Sequence, residues 1–338
     1  MERRVLVESY KVCITFFVLV LTLIFSSCAT TPLSSQSSIK GTDVYMGDWQ
    51  GNLMAANGKR SPLSAQVIAL GNGKYQANIL EEFDNRIKPT AVLDGTSEGS
   101  SIHFKGAGWQ GLIKNGKFTG IFGFGSFEMK KVERISPAMG AKGGQGSIVL
   151  FDGKNFDQWQ ADKVGPVKWK IINGAMEVVP KTGSIITKKK FRDYMLHMEF
   201  RSPFMPKARG QARGNSGVYH QGLYEVQVLD SYGLEGKDNE CGGIYKVAAP
   251  RVNMCSPPMQ WQSYDIIFKS PRFDSSGSKK ANARITVIHN GVMIHDNQEL
   301  PLPTGGARSN TETGFGPVML QDHGNKVQYR NIWLVELR

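Results

Sequence analysis

From residue 44 onward the chain alternates apolar and polar residues in short runs, and the runs end at glycine, asparagine or proline. Ala65-Gln66-Val67-Ile68-Ala69-Leu70, Lys74-Tyr75-Gln76-Ala77-Asn78-Ile79-Leu80 and Ser101-Ile102-His103-Phe104 show the pattern. A period of two places successive side chains on opposite faces, the mark of a half-buried strand. Gly71-Asn72-Gly73 and Lys114-Asn115-Gly116-Lys117 break the runs with residues that tolerate the positive φ of hairpin turns. A small all-β domain is therefore expected over 44–135. Trp49, in the Gly47-Asp48-Trp49-Gln50-Gly51 opening, and Trp109 offer aromatic surface on which a sugar could stack. Aromatics of this size more commonly fill a core, so no catalytic role attaches to this segment.

Residues 136–147 have the glycine-rich composition of a linker. Strand-like runs then resume at Ile148-Val149-Leu150-Phe151, Trp169 to Ile172, Met195 to Phe200, Tyr264 to Phe268, Ala283 to His289 and Val327 to Leu337. No stretch carries a helical period of useful length. Residues 148–338 thus read as a two-sheet β-sandwich or jelly roll, and the whole chain as all-β. Ser202 to Gly214 and Ser231 to Gly243 are too long for hairpin connections, and long loops on a rigid sandwich tend to border sites.

One run departs from the short alternation. Val12 to Phe25 is apolar but for Thr15 and Thr22 and follows Arg3, Arg4 and Lys11, which is the layout of an export signal. Phe25-Ser26-Ser27-Cys28 resembles the bacterial lipobox, so residues 1–27 are expected to be removed and Cys28 lipidated. An uncleaved anchor or an ordinary signal peptide is the alternative. Residues 28–43 are polar, aperiodic and suited to a tether. Together they predict a protein of the bacterial cell envelope, lipid-anchored and facing the periplasm from the outer membrane.

Composition changes the picture in two ways. The 338 residues contain 41 Lys+Arg against 29 Asp+Glu, a formal charge of +12. Loss of residues 1–27 removes three basic and two acidic residues, leaving +11 on the folded part. These charges are scattered, without the basic stripe that nucleic-acid binding requires, so no nucleic-acid partner is expected. Once Cys13 and Cys28 are set aside, Cys241 and Cys255 remain. In an oxidising compartment this pair predicts a disulfide stabilising the fold by about 3 kcal/mol. No spacing of Cys or His suggests a zinc site, and neither a metal nor a cofactor is expected, although oxygen-rich loops leave calcium open.

The densest chemistry lies in Asn215-Ser216-Gly217-Val218-Tyr219-His220 and Tyr224-Glu225-Val226-Gln227-Val228-Leu229-Asp230. Strand alternation turns Tyr224, Val226 and Val228 one way and Glu225 and Gln227 the other. Asp230 joins Glu225 only if a bulge or the strand end shifts the parity. In Met319-Leu320-Gln321-Asp322-His323-Gly324, Gln321 and His323 share a face opposite Leu320 and Asp322. These polar rows are suited to lining one groove.

Those two stretches, with Leu150-Phe151-Asp152-Gly153-Lys154, Trp159, Gly243-Ile244-Tyr245, Trp261-Gln262, Asn290-Gly291-Val292 and Arg330-Asn331-Ile332, resemble in order the motifs of the 3-keto-disaccharide hydrolase domain family. The resemblance covers about 148–338. It implies a concanavalin-like jelly roll acting on glycosides whose 3-hydroxyl has been oxidised to a ketone. The same strand is similar to that of jelly-roll endo-glucanases, which carry Glu, x, Asp, x, x, Glu where this chain has Glu225, Gln227 and Asp230. Loss of the central carboxylate argues against their double displacement, which needs two carboxyl groups about 5–5.5 Å apart.

A 3-keto sugar opens another route. Its ketone acidifies the C2 proton, so a base can form an enolate from which the C1 substituent leaves, and water then adds. On this reading His323 or Glu225 is the base, and Asp230 orients it or acts as acid. Asn215, Gln227, Lys246 and Gln321 are the donors to sugar hydroxyls or to the enolate. A non-catalytic carbohydrate-binding jelly roll, an ordinary glucanase-like glycosidase and a purely structural surface lipoprotein are the competing readings.

Overall fold

The computed structural model describes residues 42–81, 83 and 88–337. The export signal, Cys28 and all of the tether but its last residues lie outside them.

The first eight strands are β1 (Gly47–Met54), β2 (Arg60–Gly71), β3 (Lys74–Leu80), β4 (Ala91–Glu98), β5 (Ser101–Gly106), β6 (Trp109–Lys114), β7 (Lys117–Phe122) and β8 (Gly125–Val132). They form a closed antiparallel barrel in sequence order, with β1 pairing β8. Closure leaves no unpaired sheet edge. The alternation read in the sequence sets the inside. Val67, Ala77, Leu93, Ile102, Phe118 and Met129 are buried, while their polar neighbours Asp94, His103 and Glu128 face solvent. Trp49 and Trp109 are buried as well, at 1 % and 6 % exposure, so neither is free to stack on a ligand.

The remaining strands begin with β9 (Ile148–Phe151), β10 (Trp159–Ala161), β11 (Lys170–Ile172), β12 (Ala175–Glu177) and β13 (Ile185–Thr187). Next come β14 (Tyr194–Arg201), β15 (Ser216–His220), β16 (Tyr224–Val228), β17 (Gln262–Lys269), β18 (Arg272–Phe273) and β19 (Lys279–Ala281). The chain closes with β20 (Ala283–His289), β21 (Val292–Leu300), β22 (Met319–Leu320) and β23 (Gln328–Glu336). One sheet has the order β10-β13-β22-β15-β16; a larger one runs β11-β12-β23-β14-β17-β20-β21, with β9 also on β23. Val218, Val226 and Leu320 from the small sheet and Leu196, Phe200, Tyr264, Phe268 and Tyr329 from the large one are buried in one apolar core. The expected all-β architecture is what the structure shows.

The glycine-rich stretch between barrel and sandwich is bonded down rather than loose. Gly140 N donates to Glu199 Oε1 at 2.7 Å, and Ala141 O accepts from Asn331 Nδ2 and Trp333 Nε1, each at 3.0 Å. Beneath it lies a buried charge cluster, with His197 Nδ1 2.7 Å from Asp265 Oδ1 and Glu199 Oε2 2.6 Å from Arg330 Nε. Burial alone would depress the His197 imidazole, but hydrogen bonds to Asp265 and Glu199 outweigh it and raise its pKa to about 9. Burial likewise opposes ionisation of Glu199, yet hydrogen bonds from His197, Asn331, Gly140 and Arg330 bring its pKa down to about 2.

Both long sandwich loops touch the barrel. Arg209 donates to Leu70 O at 2.8 Å, Tyr232 Oη donates to Asp48 Oδ1 at 2.7 Å, and Asn78 Nδ2 donates to Gly233 O at 2.7 Å. The barrel therefore braces the loops that border the site described next.

Candidate functional site

The site lies on the face of the small sheet turned away from the sandwich core. Within the β15–β16 hairpin Tyr219 pairs with Glu225, Gly217 with Gln227 and Val218 with Val226. Residues directly opposite each other share a face. Val218 and Val226 are in the core, so Gly217, Tyr219, Glu225 and Gln227 stand together on the other side. β22 extends the row, with Met319 paired to Tyr219 and Gln321 N donating to Gly217 O at 3.0 Å. Ile186, Tyr219 and Met319 form a small apolar cluster of their own, separate from the main core. It supplies an apolar floor beside the polar row.

Glu225 is the chemical centre. It is 4 % exposed, and among the described residues no cation lies in ion-pair range of it. Burial pushes its carboxyl pKa up to about 8, only partly offset by a hydrogen bond with Tyr219. The Gln227 amide, oriented with its nitrogen toward the carboxyl, donates to Glu225 Oε1 at 2.8 Å and to Ser216 O at 3.1 Å. The backbone N–H of Glu225 donates to Thr304 Oγ1 at 2.9 Å. Gly217 makes room for this carboxyl, since a Cβ there would collide with Glu225 Oε1.

Tyr219 was not among the residues expected to act, yet it is the closest companion of Glu225 in the pairing. Its hydroxyl donates to Gly305 O and accepts from Gln321 Nε2, both at 3.1 Å. Burial raises its pKa, as does the neighbouring Glu225. The phenol therefore keeps its proton and remains a donor. Segment 304–306 seats over this pair: Thr304 reaches Glu225, Gly305 packs on the Tyr245 ring, and Gly306, at φ +79°, adjoins Tyr219 Oη.

The expected hydroxyl-binding residues separate into those at the centre and those at the margin. Asn215 Nδ2 donates to Gln211 O at 2.8 Å, and Gln211 Nε2 in turn donates to Asn239 O at 2.6 Å. Asn215 Oδ1 and Gln321 Oε1 are buried with no hydrogen-bond partner among the described residues. Two unsatisfied acceptors on one site are costly unless a ligand supplies donors. Lys246 is exposed, with φ +58° and its ammonium 5.5 Å over the Tyr245 ring. His323 is exposed in a turn fixed by Asp322, whose Oδ2 accepts from Thr182 N at 2.8 Å and Gly183 N at 2.9 Å. That turn adjoins the site through Asn325, which accepts from Asn215 N at 2.7 Å.

Asp230 is placed differently from Glu225. It follows the end of β16, is 3 % exposed, and both its oxygens are engaged, Oδ2 by Arg213 Nε at 2.6 Å and Oδ1 by Tyr232 N at 3.4 Å. Burial raises its pKa against the pull of Arg213. Cys241 and Cys255 are both buried and lie in hydrogen-bond contact with each other, as thiols rather than joined in the expected disulfide. Each has an oxygen partner: Cys241 Sγ is 3.3 Å from Tyr264 Oη, and Cys255 Sγ faces Ser256 O at 3.4 Å. Among the described residues no group of three or more His, Cys, Asp or Glu is disposed to hold a metal ion.

A crystal structure of a glycosyl hydrolase candidate from Parabacteroides distasonis ATCC 8503 is 39 % identical, aligns over 57 % of this chain and 84 % of its own, and superposes with a TM-score of 0.54. A second such candidate from the same organism is 19 % identical over 57 % of this chain and 95 % of its own, at a TM-score of 0.43. No curated protein matches the sequence significantly. The family model of the 3-keto-alpha-glucoside-1,2-lyase-like domain matches residues 146–335. With more than half its length inside that match, and with Glu225, Gln227, Tyr219 and Gln321 gathered on one sheet face, this glycosidase-type chain belongs to the 3-keto-alpha-glucoside-1,2-lyase-like domain family.

Proposed function

We propose that the protein cleaves the glycosidic bond of 3-keto-glycosides by elimination and hydration, with Glu225 as the base. The observation that carries this reading is a buried carboxyl that, among the described residues, has no cation and no second free carboxylate beside it, and whose pKa burial pushes up to about 8. A base of that pKa is well matched to proton abstraction near neutral pH. Double displacement needs two carboxyl groups, and Asp230 is tied to Arg213. Elimination needs only one.

In the first step Glu225 takes the proton from C2 of the sugar, and the electron pair moves through C2–C3 onto the ketone oxygen. Collapse of that enolate forms the C1–C2 double bond and expels the C1 oxygen with its bonding pair, and that oxygen takes up the proton now held by Glu225, which leaves the carboxylate free to activate the water of the second step. Tyr219, a neutral phenol whose single O–H bonds Gly305 O, supplies a donor by turning that O–H to the oxygen that gains charge. Water then adds across C1–C2, its oxygen to C1 and a proton to C2, and the sum is hydrolysis. Asn215 Oδ1 and Gln321 Oε1 accept from ring hydroxyls, which removes their unsatisfied state. His323 and Lys246 stand at the margin, where they contact the aglycone.

The test is turnover by the purified protein of a 3-keto-glucoside and of its unoxidised parent. Release of 3-ketoglucose from the keto compound alone, abolished in Glu225→Gln, supports the reading. Release from the parent supports an ordinary glycosidase, and binding without release a carbohydrate-binding jelly roll. The same proposal includes export and anchoring through Cys28. Cys28→Ala should move the protein from the membrane to the soluble fraction of cells, and unchanged partition would remove the anchor from the account.

A further inference from the structure

Where the barrel meets the sandwich, the contact surface is polar although it is buried. On the outer face of β2 and β3, Gln66 pairs with Asn78, and Gln76 lies beside them. Gln66 is 4 % exposed and Asn78 2 %. Gln76 Nε2 donates to Asn78 Oδ1, and Asn78 Nδ2 donates onward to Gly233 O, both at 2.7 Å. Gln66 Nε2 has no hydrogen-bond partner among the described residues. These amides line a cavity of about 510 Å³ whose far wall is the loop 233–240. That volume falls in the class of small-molecule sites.

The lining selects a ligand chemistry. Lys88 and Lys237 are balanced by Glu235 and Glu240, and the Glu240 carboxylate is already taken by the backbone N–H groups of Gly236 and Lys237. No net field favours an anion or a cation. What remains is the Gln66 amide, beside those of Gln76 and Asn78 that bond each other and Gly233 O, next to the apolar side chains of Leu80, Val92 and Leu234. An unpartnered amide nitrogen matches a sugar hydroxyl, and apolar side chains match the C–H face of a pyranose ring. We propose that this cavity is a second, non-catalytic site that binds a neutral saccharide of one or two sugar units. Its unpartnered Gln66 amide is the donor awaiting a ligand hydroxyl.

The site is connected to the catalytic one through a single loop. Asn239 O accepts from Gln211 Nε2, while Gly243 O and Gly242 N bind the backbone of Gln227, each at 2.9 Å. A saccharide against the outer side of this loop stiffens the segment that holds Gln227 against Glu225. The proposal does not rest on the keto-sugar reading, because it concerns binding of unoxidised sugars away from Glu225.

Titration calorimetry of the full chain with maltose, cellobiose and trehalose tests it. At least one disaccharide should bind the wild type, bind equally well to the groove variant Gln321→Ala, and bind about tenfold more weakly to Gln66→Leu, which lacks the amide. Val92→Trp, placed at a position 49 % exposed and so harmless to the core, should block binding by filling the cavity. Absence of binding by all three sugars, or binding untouched by both Gln66→Leu and Val92→Trp, overturns the proposal. Either result leaves the turnover test of Glu225 unaffected.

Discussion

Replacing Glu225 by glutamine should abolish turnover and, at alkaline pH, make the protein more stable. The carboxyl is buried with an amide and a phenol but, among the described residues, no cation, and its pKa is displaced from 4.5 to about 8. Because the folded state holds this proton more tightly than the unfolded chain, the stabilising balance is intact below about pH 4.5 and is lost as pH rises through about 8. At ~1.4 kcal/mol per pH unit, that displacement makes the ionised carboxylate cost up to about 5 kcal/mol. Glutamine has nearly the same shape and never ionises. Wild type and Glu225→Gln should therefore melt together at pH 4, and the variant should melt higher at pH 9. For a domain of this size, about 2–4 °C per kcal/mol gives a difference on the order of 10 °C. Differential scanning fluorimetry across that pH range measures it, and all other titrating groups cancel in the difference. A difference that stays flat with pH would refute the claim that burial of an unpaired carboxyl sets the chemistry of this site. The gain in stability on losing the catalytic group is the reverse side of its preparation as a base.

Three further outcomes follow from the same geometry. Gly217→Ala should lower kcat by about a hundredfold or more, since displacing the base from its reacting position is costly, while circular dichroism shows the fold intact; unchanged kcat would mean that the Glu225 carboxyl is free to move. Arg213→Met alone should destabilise the fold by about 3–5 kcal/mol, because it strands the buried Asp230, and Arg213→Met with Asp230→Leu should recover much of that loss. Wild-type kcat in the double variant places Asp230 in the scaffold; a dead but stable double variant would return it to the catalytic apparatus. For the buried pair under the 136–147 strap, His197 contributes stability that is complete below about pH 6.5 and lost as pH rises through about 9. Glu199 contributes stability that is complete above pH 4.5 and lost as pH falls through about 2. Denaturation midpoints should show that His197→Gln removes the alkaline loss and leaves the acid limb, and an unchanged alkaline limb would contradict the assignment.

The local content of the site was legible from the sequence, whereas its long-range content was not. Alternation alone separates Glu225 and Gln227 from Tyr224, Val226 and Val228, because the strand period is fixed by backbone geometry. Pairing Ser216–His220 against Tyr224–Val228 across their short turn also brings Tyr219 opposite Glu225, a signal the sequence itself carries. The burial of Trp49 and Trp109 follows from the same alternation around the barrel. The partner of Asp230 was not legible, because Arg213 sits in a loop whose path no periodicity describes. Nor was the exposure of His323, since β22 ends at Leu320 and the face that still holds Gln321 against Gly217 is lost in the turn that carries His323. The glycine-rich stretch 136–147 has a linker's composition but is held by Glu199, Asn331 and Trp333, all distant in sequence. Thiol separation in sequence likewise said nothing about which oxygen atoms Cys241 and Cys255 face.

The central claim is that the bond breaks only after the C2 proton has been removed. Cleavage of a 3-keto-glucoside in deuterium oxide, with the released 3-ketoglucose read by NMR against a sample of the product held in the same solvent, tests this most directly. Elimination followed by hydration predicts deuterium at C2 of every released sugar, at a level well above that control. Release of 3-ketoglucose that keeps its original hydrogen at C2 would mean direct displacement at C1, and would contradict the role given to Glu225.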